Sequence, residues 1–138
     1  MWSWNFRTYM EIMGGNDMET KQQQRAEFAL KEVKLLMENG SVEDKLSKLI
    51  VSMPNMILSN GLGQSLSFLI SKDDGKNPKE VKVFKIIKKY MGNEKQNDLE
   101  FLMTINTMDA STYRKKQTEV LKMLEWLKHY ARAFAEKK

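Results

Sequence analysis

Cysteine is absent from this 138-residue chain and histidine occurs once, at position 129. Disulfides, thiolate nucleophiles and cysteine metal sites are therefore excluded. A zinc site or a Ser/His/Asp triad would hang on that single imidazole, among aromatic and basic neighbours. Only two prolines occur, and β-branched residues never alternate with polar ones over a strand length. No uninterrupted apolar run approaches the ~20 residues that cross a bilayer. The opening "MWSWNFRTYMEIMGG" lacks the basic and apolar regions and the cleavage site of a secretory signal. These absences predict a cytoplasmic chain with no membrane partner, no metal, no cofactor and no catalytic residue.

What is present is helical periodicity. Apolar residues recur at three and four throughout, which predicts an all-α fold: a compact, single-domain bundle of about five or six helices. Coiled coil is the lesser alternative. The length is that of one ordinary domain, enough to bury roughly two-thirds of the unfolded surface. The first helix, "TKQQQRAEFALKEVKLLMENG", carries Ala26, Ala29, Leu30, Val33, Leu36 and Met37 on one face and ends at Asn39-Gly40. Ser41 reads as the N-cap of the second, with Pro54 kinking it or opening a new one. Asn77, Pro78 and Glu80 fit N-cap, N1 and N3 of the next, "PKEVKVFKIIKKYMGN". A shorter helix, "DLEFLMTINTM", follows, and Asp109 caps the longest, whose predicted buried stripe is Tyr113, Val120, Leu124, Leu127, Ala131 and Phe134.

Two glycines one residue apart, in "NGLGQSLSFL", invite a phosphate-loop reading. A Walker loop needs Gly-Lys-Ser/Thr and a dinucleotide fingerprint needs a third glycine after a strand; neither exists here. Gly61 and Gly63 read instead as a close approach of a neighbouring helix or chain, with Gln64 available for hydrogen bonds and Leu62, Leu66 and Phe68 filling the core. The acid pairs Asp73-Asp74 and Glu43-Asp44 read as a solvated loop tip and a helix first turn. Trp126, Tyr130 and Phe134 sit beside the apolar stripe as core or interface, and the eleven methionines suggest adaptable packing.

Net charge is +5, with a sequence pI near 9.3. Lys82, Lys85 and Lys89 share one helix face. Arg114, Lys122, His129 and Arg132 share an arc of another, with Lys128 beside them. Such faces are ordinary solvated surface or a track for a sugar-phosphate backbone, held by point charges without reading bases. On the second reading these eight residues face RNA, and reversing Lys82, Lys85 and Lys89 weakens RNA binding.

Three stretches carry a resemblance: "RAEFALKEVKLL", "MPNMILSNGLGQSLSFLISK" and "TYRKKQTEVLKMLEWLKHYARAFAEK". They resemble the small all-helical subunit of the type III-B CRISPR effector, the Cmr complex. The family pattern falls on Pro54, Gly61, Leu62, Gln64, Leu66 and Phe68, then on Tyr113, Thr118, Leu121, Trp126, Leu127, Lys128 and Ala131, with Met53 in place of the usual leucine. The resemblance covers a domain from residue 18 to 138. Residues 1–17 form an extension outside it, and Met18 stands where the family's chains usually begin. The extension carries one Arg, one Glu and one Asp, so the remainder has a net charge of +6 against +5 for the whole. The resemblance implies a non-enzymatic structural subunit that stacks in copies of itself as a minor filament beside the backbone subunit. It implies contacts with other Cmr subunits and with guide RNA and target RNA. The competing reading is a helical protein–protein adaptor that never touches RNA.

Overall fold

The computed structural model describes residues 20–137. The predicted extension, residues 1–17, and Met18 lie outside them. Five helices follow in order: α1 (Lys21–Leu36), α2 (Asp44–Ser71), α3 (Lys79–Tyr90), α4 (Asp98–Thr107) and α5 (Ala110–Ala133). The long helices α2 and α5 pack on each other; α1 lies along α5, while α3 and α4 lie on α2. Among the described residues, β pairing is limited to two isolated bridges, so the fold is the all-α bundle that the periodicity predicts. No helix among the described residues is long and apolar enough to cross a membrane.

Helix starts with a local acceptor form as sequence rules predict. Thr20 and Gln23 make a reciprocal capping box at α1. Asn97 accepts the Glu100 amide at 2.8 Å, and Asp109 accepts that of Thr112 at 2.8 Å. Each satisfies one of the orphan N–H groups of a first turn.

Two predicted caps are corrected. Ser41 does not cap α2, because it belongs to the preceding turn: Asn39 and Gly40 both have positive φ (54° and 85°), and Glu38 and Ser41 exchange backbone hydrogen bonds across them, a primed hairpin-type turn. The cap position is Glu43, and the first-turn amide of Asp44 instead donates to the Glu136 carboxylate at 2.9 Å. Val42 holds that tail in place, donating to the Phe134 carbonyl and accepting from the Glu136 amide. Asn77 likewise does not cap α3. Its φ of 54° is left-handed, not the extended geometry of an N-cap, and Pro78 takes the cap position.

The break in α2 is at Gly61, not Pro54. Pro54 is buried within continuous helix, and the one interior residue outside helical geometry is Gly61, at φ 84° and ψ 162°. Essentially only glycine adopts that region. The amides just past the break are met by α5: Leu62 N–H donates to Gln117 Oε1 and Gly63 N–H to the Tyr113 hydroxyl, each at 2.8 Å. A Cβ on Gly63 would stand 3.2 Å from Asn106 Oδ1 and 3.4 Å from the Tyr113 oxygen. The close neighbour of the glycine pair is thus this chain's own α5, with α4 beside it.

The core runs through Ile50, Met53, Ile57, Leu62, Leu66 and Leu69 of α2, Phe84 and Ile87 of α3, Phe101 and Ile105 of α4, and Met123, Leu124 and Leu127 of α5. Three predicted core residues are exposed. Phe68 is 41% accessible, because the buried stripe Leu62, Leu66, Leu69 turns it away at ~100° per residue; its ring lies under the Lys72 ammonium. Phe134 follows the last residue of α5, so helical periodicity no longer aims it inward. Leu30 lies outside while Arg25 and Glu32 of α1 are buried, each with a partner of opposite charge.

Candidate nucleic-acid interface

The N-terminal halves of α1 and α5 lie side by side and enclose an open groove lined by Lys21, Arg25, Ser111, Arg114, Lys115, Thr118, Glu119 and Lys122. Its floor is tied by a three-helix network. Arg25 of α1 donates to both oxygens of Glu119 on α5, Nε to Oε2 at 2.6 Å and Nη2 to Oε1 at 2.8 Å. The Tyr90 hydroxyl at the end of α3 donates to the same Oε2. A bidentate guanidinium–carboxylate pair of this kind is the strong form of a charge-assisted hydrogen bond. Arg25 pulls the Glu119 carboxyl from the ordinary 4.5 down to about 2, its hydrogen bond outweighing burial. Burial first, and the hydrogen bond to Glu119 second, push the Tyr90 hydroxyl upward, so it stays a neutral donor.

Among the described residues, the only carboxylate that lines this groove is therefore committed to Arg25. Among the described residues Lys21, Arg114, Lys115 and Lys122 make no ion pair. Four cations and the hydroxyl-bearing Ser111 and Thr118 line one shallow surface, an arrangement that holds phosphates by charge and by hydroxyl donors.

The α3 lysines sit in different surroundings. Lys82, Lys85, Lys88 and Lys89 share a groove with Glu32, Glu94 and Asp98 over an apolar floor of Leu36 and Ile86. Lys89 pairs with the buried Glu32 at 2.7 Å, which raises its pKa above the ordinary lysine value against the effect of burial. Lys88 pairs with Asp98 at 2.9 Å, and Lys85 donates to Asn77 Oδ1 at 3.4 Å. Four lysines against three carboxylates leave a nearly neutral surface.

The family model described as CRISPR-associated protein (Cas_Cmr5) matches residues 21–134, from the first residue of α1 to the one that follows α5. The chain belongs to the Cmr5 family. This is a family of small CRISPR-associated subunits of the type III-B Cmr complex, so the chain is a Cmr-complex subunit. Both grooves lie within the matched residues.

Of the eight residues predicted to face RNA, this Cmr5-family fold brings Arg114 and Lys122 together in the α1/α5 groove. His129 and Arg132 continue exposed along α5, about 10–15 Å further on at 1.5 Å per residue. Lys128 is half-buried and paired with Glu125 at 3.1 Å. Lys82, Lys85 and Lys89 form the separate α3 groove. Trp126 packs half-buried against the core and stacks on Tyr130, while Gln64 is exposed. Lys21, Lys115 and the Arg25–Glu119–Tyr90 network are functional candidates that sequence reading passes over. One signal was available: Arg25 stands one turn before Ala29 and two before Val33, on the buried face of α1, and Glu119 adjoins the buried stripe of α5. Opposite charges at inward-facing positions of two helices point to a pair.

Proposed function

We propose that this Cmr5-family chain is a non-catalytic structural subunit of an RNA-guided, RNA-targeting complex that acts in antiviral defence in the cytoplasm. It stacks in copies as a minor filament and borders the guide/target RNA with the α1/α5 groove. The observation that carries this reading is the set of four cations, Lys21, Arg114, Lys115 and Lys122, that make no ion pair among the described residues, beside a carboxylate already held by Arg25. Point charges and hydroxyls on a shallow surface favour sequence-independent, salt-sensitive contact with phosphates. The non-catalytic part rests on the carboxylates. Glu32, Asp98 and Glu119 are each held by a cation, and a Glu119 held ionised down to about 2 is the reverse of the raised pKa that a general acid needs.

The test is photo-crosslinking of the assembled complex carrying guide and target RNA. RNA adducts on the peptides containing Arg114, Lys115 and Lys122 are expected. Crosslinks from those peptides to protein alone would favour the adaptor reading and overturn this one.

A further inference from the structure

We propose that the cleft between α1 and the end of α3 takes one unpaired nucleobase of the RNA whose phosphates run along the α1/α5 groove. The assignment rests on the proposed RNA-facing role of that groove and concerns a different part of the nucleotide. The cleft has a volume of about 410 Å³, within the ~300–1,000 Å³ of small-molecule sites. Phe28 of α1 and Tyr90 of α3 wall it, their rings edge to face with centroids 4.9 Å apart.

Electrostatics separates the cleft from the groove beside it. Both are lined by Lys21, Arg25 and Glu119, so the Arg25–Glu119 pair forms a wall common to the two. On the groove side, Arg114, Lys115 and Lys122 add charge that no ion pair among the described residues meets. On the cleft side the further cation is Lys89, and Glu32 holds it at 2.7 Å. A phosphate gains most where cations are unmatched. A neutral planar ring gains instead from aromatic walls and from a guanidinium whose charge is already met, the surfaces on which unpaired bases stack.

The two sites are joined at the spacing of a nucleotide. Lys21, Gln24, Arg25 and Phe28 stand at i, i+3, i+4 and i+7 of α1, so one face of that helix runs from the groove into the cleft. From Lys21 to Phe28 is about 10 Å along the axis, a distance on the scale of one nucleotide. A base paired within a duplex has its faces covered by the stack, so the occupant is an unpaired one.

The walls are already in place without a ligand. Phe28 and Tyr90 pack half-buried against the core, the Tyr90 hydroxyl is tied to Glu119, and Arg25 is buried and held by two hydrogen bonds. Such a site loses little side-chain freedom on binding.

The test uses the assembled complex with guide or target RNA carrying 5-iodouridine at one uridine position at a time, a base that crosslinks at zero length and favours aromatic side chains. Irradiation at one position or more should attach the RNA to Phe28 or Tyr90, and Phe28→Leu should remove or reduce that adduct. The same variant should weaken RNA binding about fivefold or more, with the slope of log affinity against log salt within about 0.5 of wild type, because a stacking contact and not a phosphate contact is lost. No adduct on either ring at any position, with the crosslinks to the Arg114, Lys115 and Lys122 peptides intact, overturns the nucleobase site and leaves the groove reading standing; loss of both sets overturns both. Weakened binding with a clearly flattened slope would give the cleft to a phosphate and likewise overturn the proposal.

Discussion

The lysine row of α3 and the basic face of α5 have the same sequence signature, cations set opposite an apolar stripe. In the fold, α3 meets three carboxylates, Glu32, Glu94 and Asp98, whereas among the described residues the α1/α5 groove meets only Glu119, and Arg25 holds it. The difference comes from other helices. Glu32 arrives from α1 and Asp98 from the first turn of α4, so whether a basic stripe is free is decided by tertiary contact and not by its own periodicity. Lys89 must break its pair with Glu32 to meet a phosphate, and Lys82 and Lys85 offer their charge beside carboxylates that repel one, so the α3 face gains correspondingly less.

The comparison is broken most forcefully by charge reversal. Arg114→Glu, Lys115→Glu and Lys122→Glu together should lower the RNA affinity of the assembled complex by about 100-fold or more at moderate salt, while the same reversal at Lys82, Lys85 and Lys89 should cost less than about tenfold. Filter binding with complexes verified for subunit content measures both. Equal losses would put the two faces on the same footing.

The two carboxylates that close the grooves should differ as well. Glu119→Ala strands the buried Arg25 and removes the acceptor of Tyr90, and is expected to destabilise the fold by about 2 kcal/mol, a figure reduced because part of Glu119 is wet. Glu32→Ala leaves a Lys89 that is about one-third exposed and should cost about 1 kcal/mol or less. Urea denaturation of the purified chain distinguishes them.

The break in α2 gives a third test, because Tyr113 and Gln117 hold it from the inner side of the same α5 segment whose outer side carries Arg114 and Lys115. Gly61→Ala forces a side chain into φ 84° and should destabilise by about 1–2 kcal/mol, shifting the thermal midpoint down. A wild-type midpoint would mean that the break can move without loss.

The smallest effect is on pH. The Glu119 carboxyl titrates at about 2 when folded and near the ordinary 4.5 when unfolded. On acidification the unfolded chain therefore takes up the proton first, and the stabilisation by this pair is present above about 4.5 and lost as pH falls toward about 2. The stability difference between wild type and Glu119→Gln should shrink over that window. A constant difference down to pH 2 would dissociate the pair from acid stability.

Much of the bundle was legible because it is written locally. Five apolar periodicities, the Asp109 cap and the buried Leu62 and Leu66 need only neighbours three and four residues away. The misplaced features depend on distant groups or unusual backbone. The start of α2 is capped by Glu136, ninety-two residues on. Asn77 adopts a left-handed conformation that its sequence alone permits but does not demand. The helix yields at Gly61, where α5 supplies acceptors for the freed amides, while Pro54 stays within the helix. For the site, Arg114 and Lys122 were visible as an exposed arc, but Lys21 and Lys115 join them only because Arg25 and Glu119, ninety-four residues apart, dock α1 against α5.

The central claim, that the cations of the α1/α5 groove and not the lysines of the α3 groove, which face three carboxylates and of which Lys89 is ion-paired, meet the RNA backbone, is tested most directly by salt dependence. The logarithm of RNA affinity is measured against the logarithm of salt concentration for assembled complexes carrying Arg114→Gln, Lys115→Gln and Lys122→Gln, or Lys82→Gln, Lys85→Gln and Lys89→Gln. Three lost phosphate contacts should flatten the slope by about 2 for the α5 variant, with the α3 variant within about 0.5 of wild type. A flattened slope for the α3 variant beside an unchanged one for α5 would contradict the account.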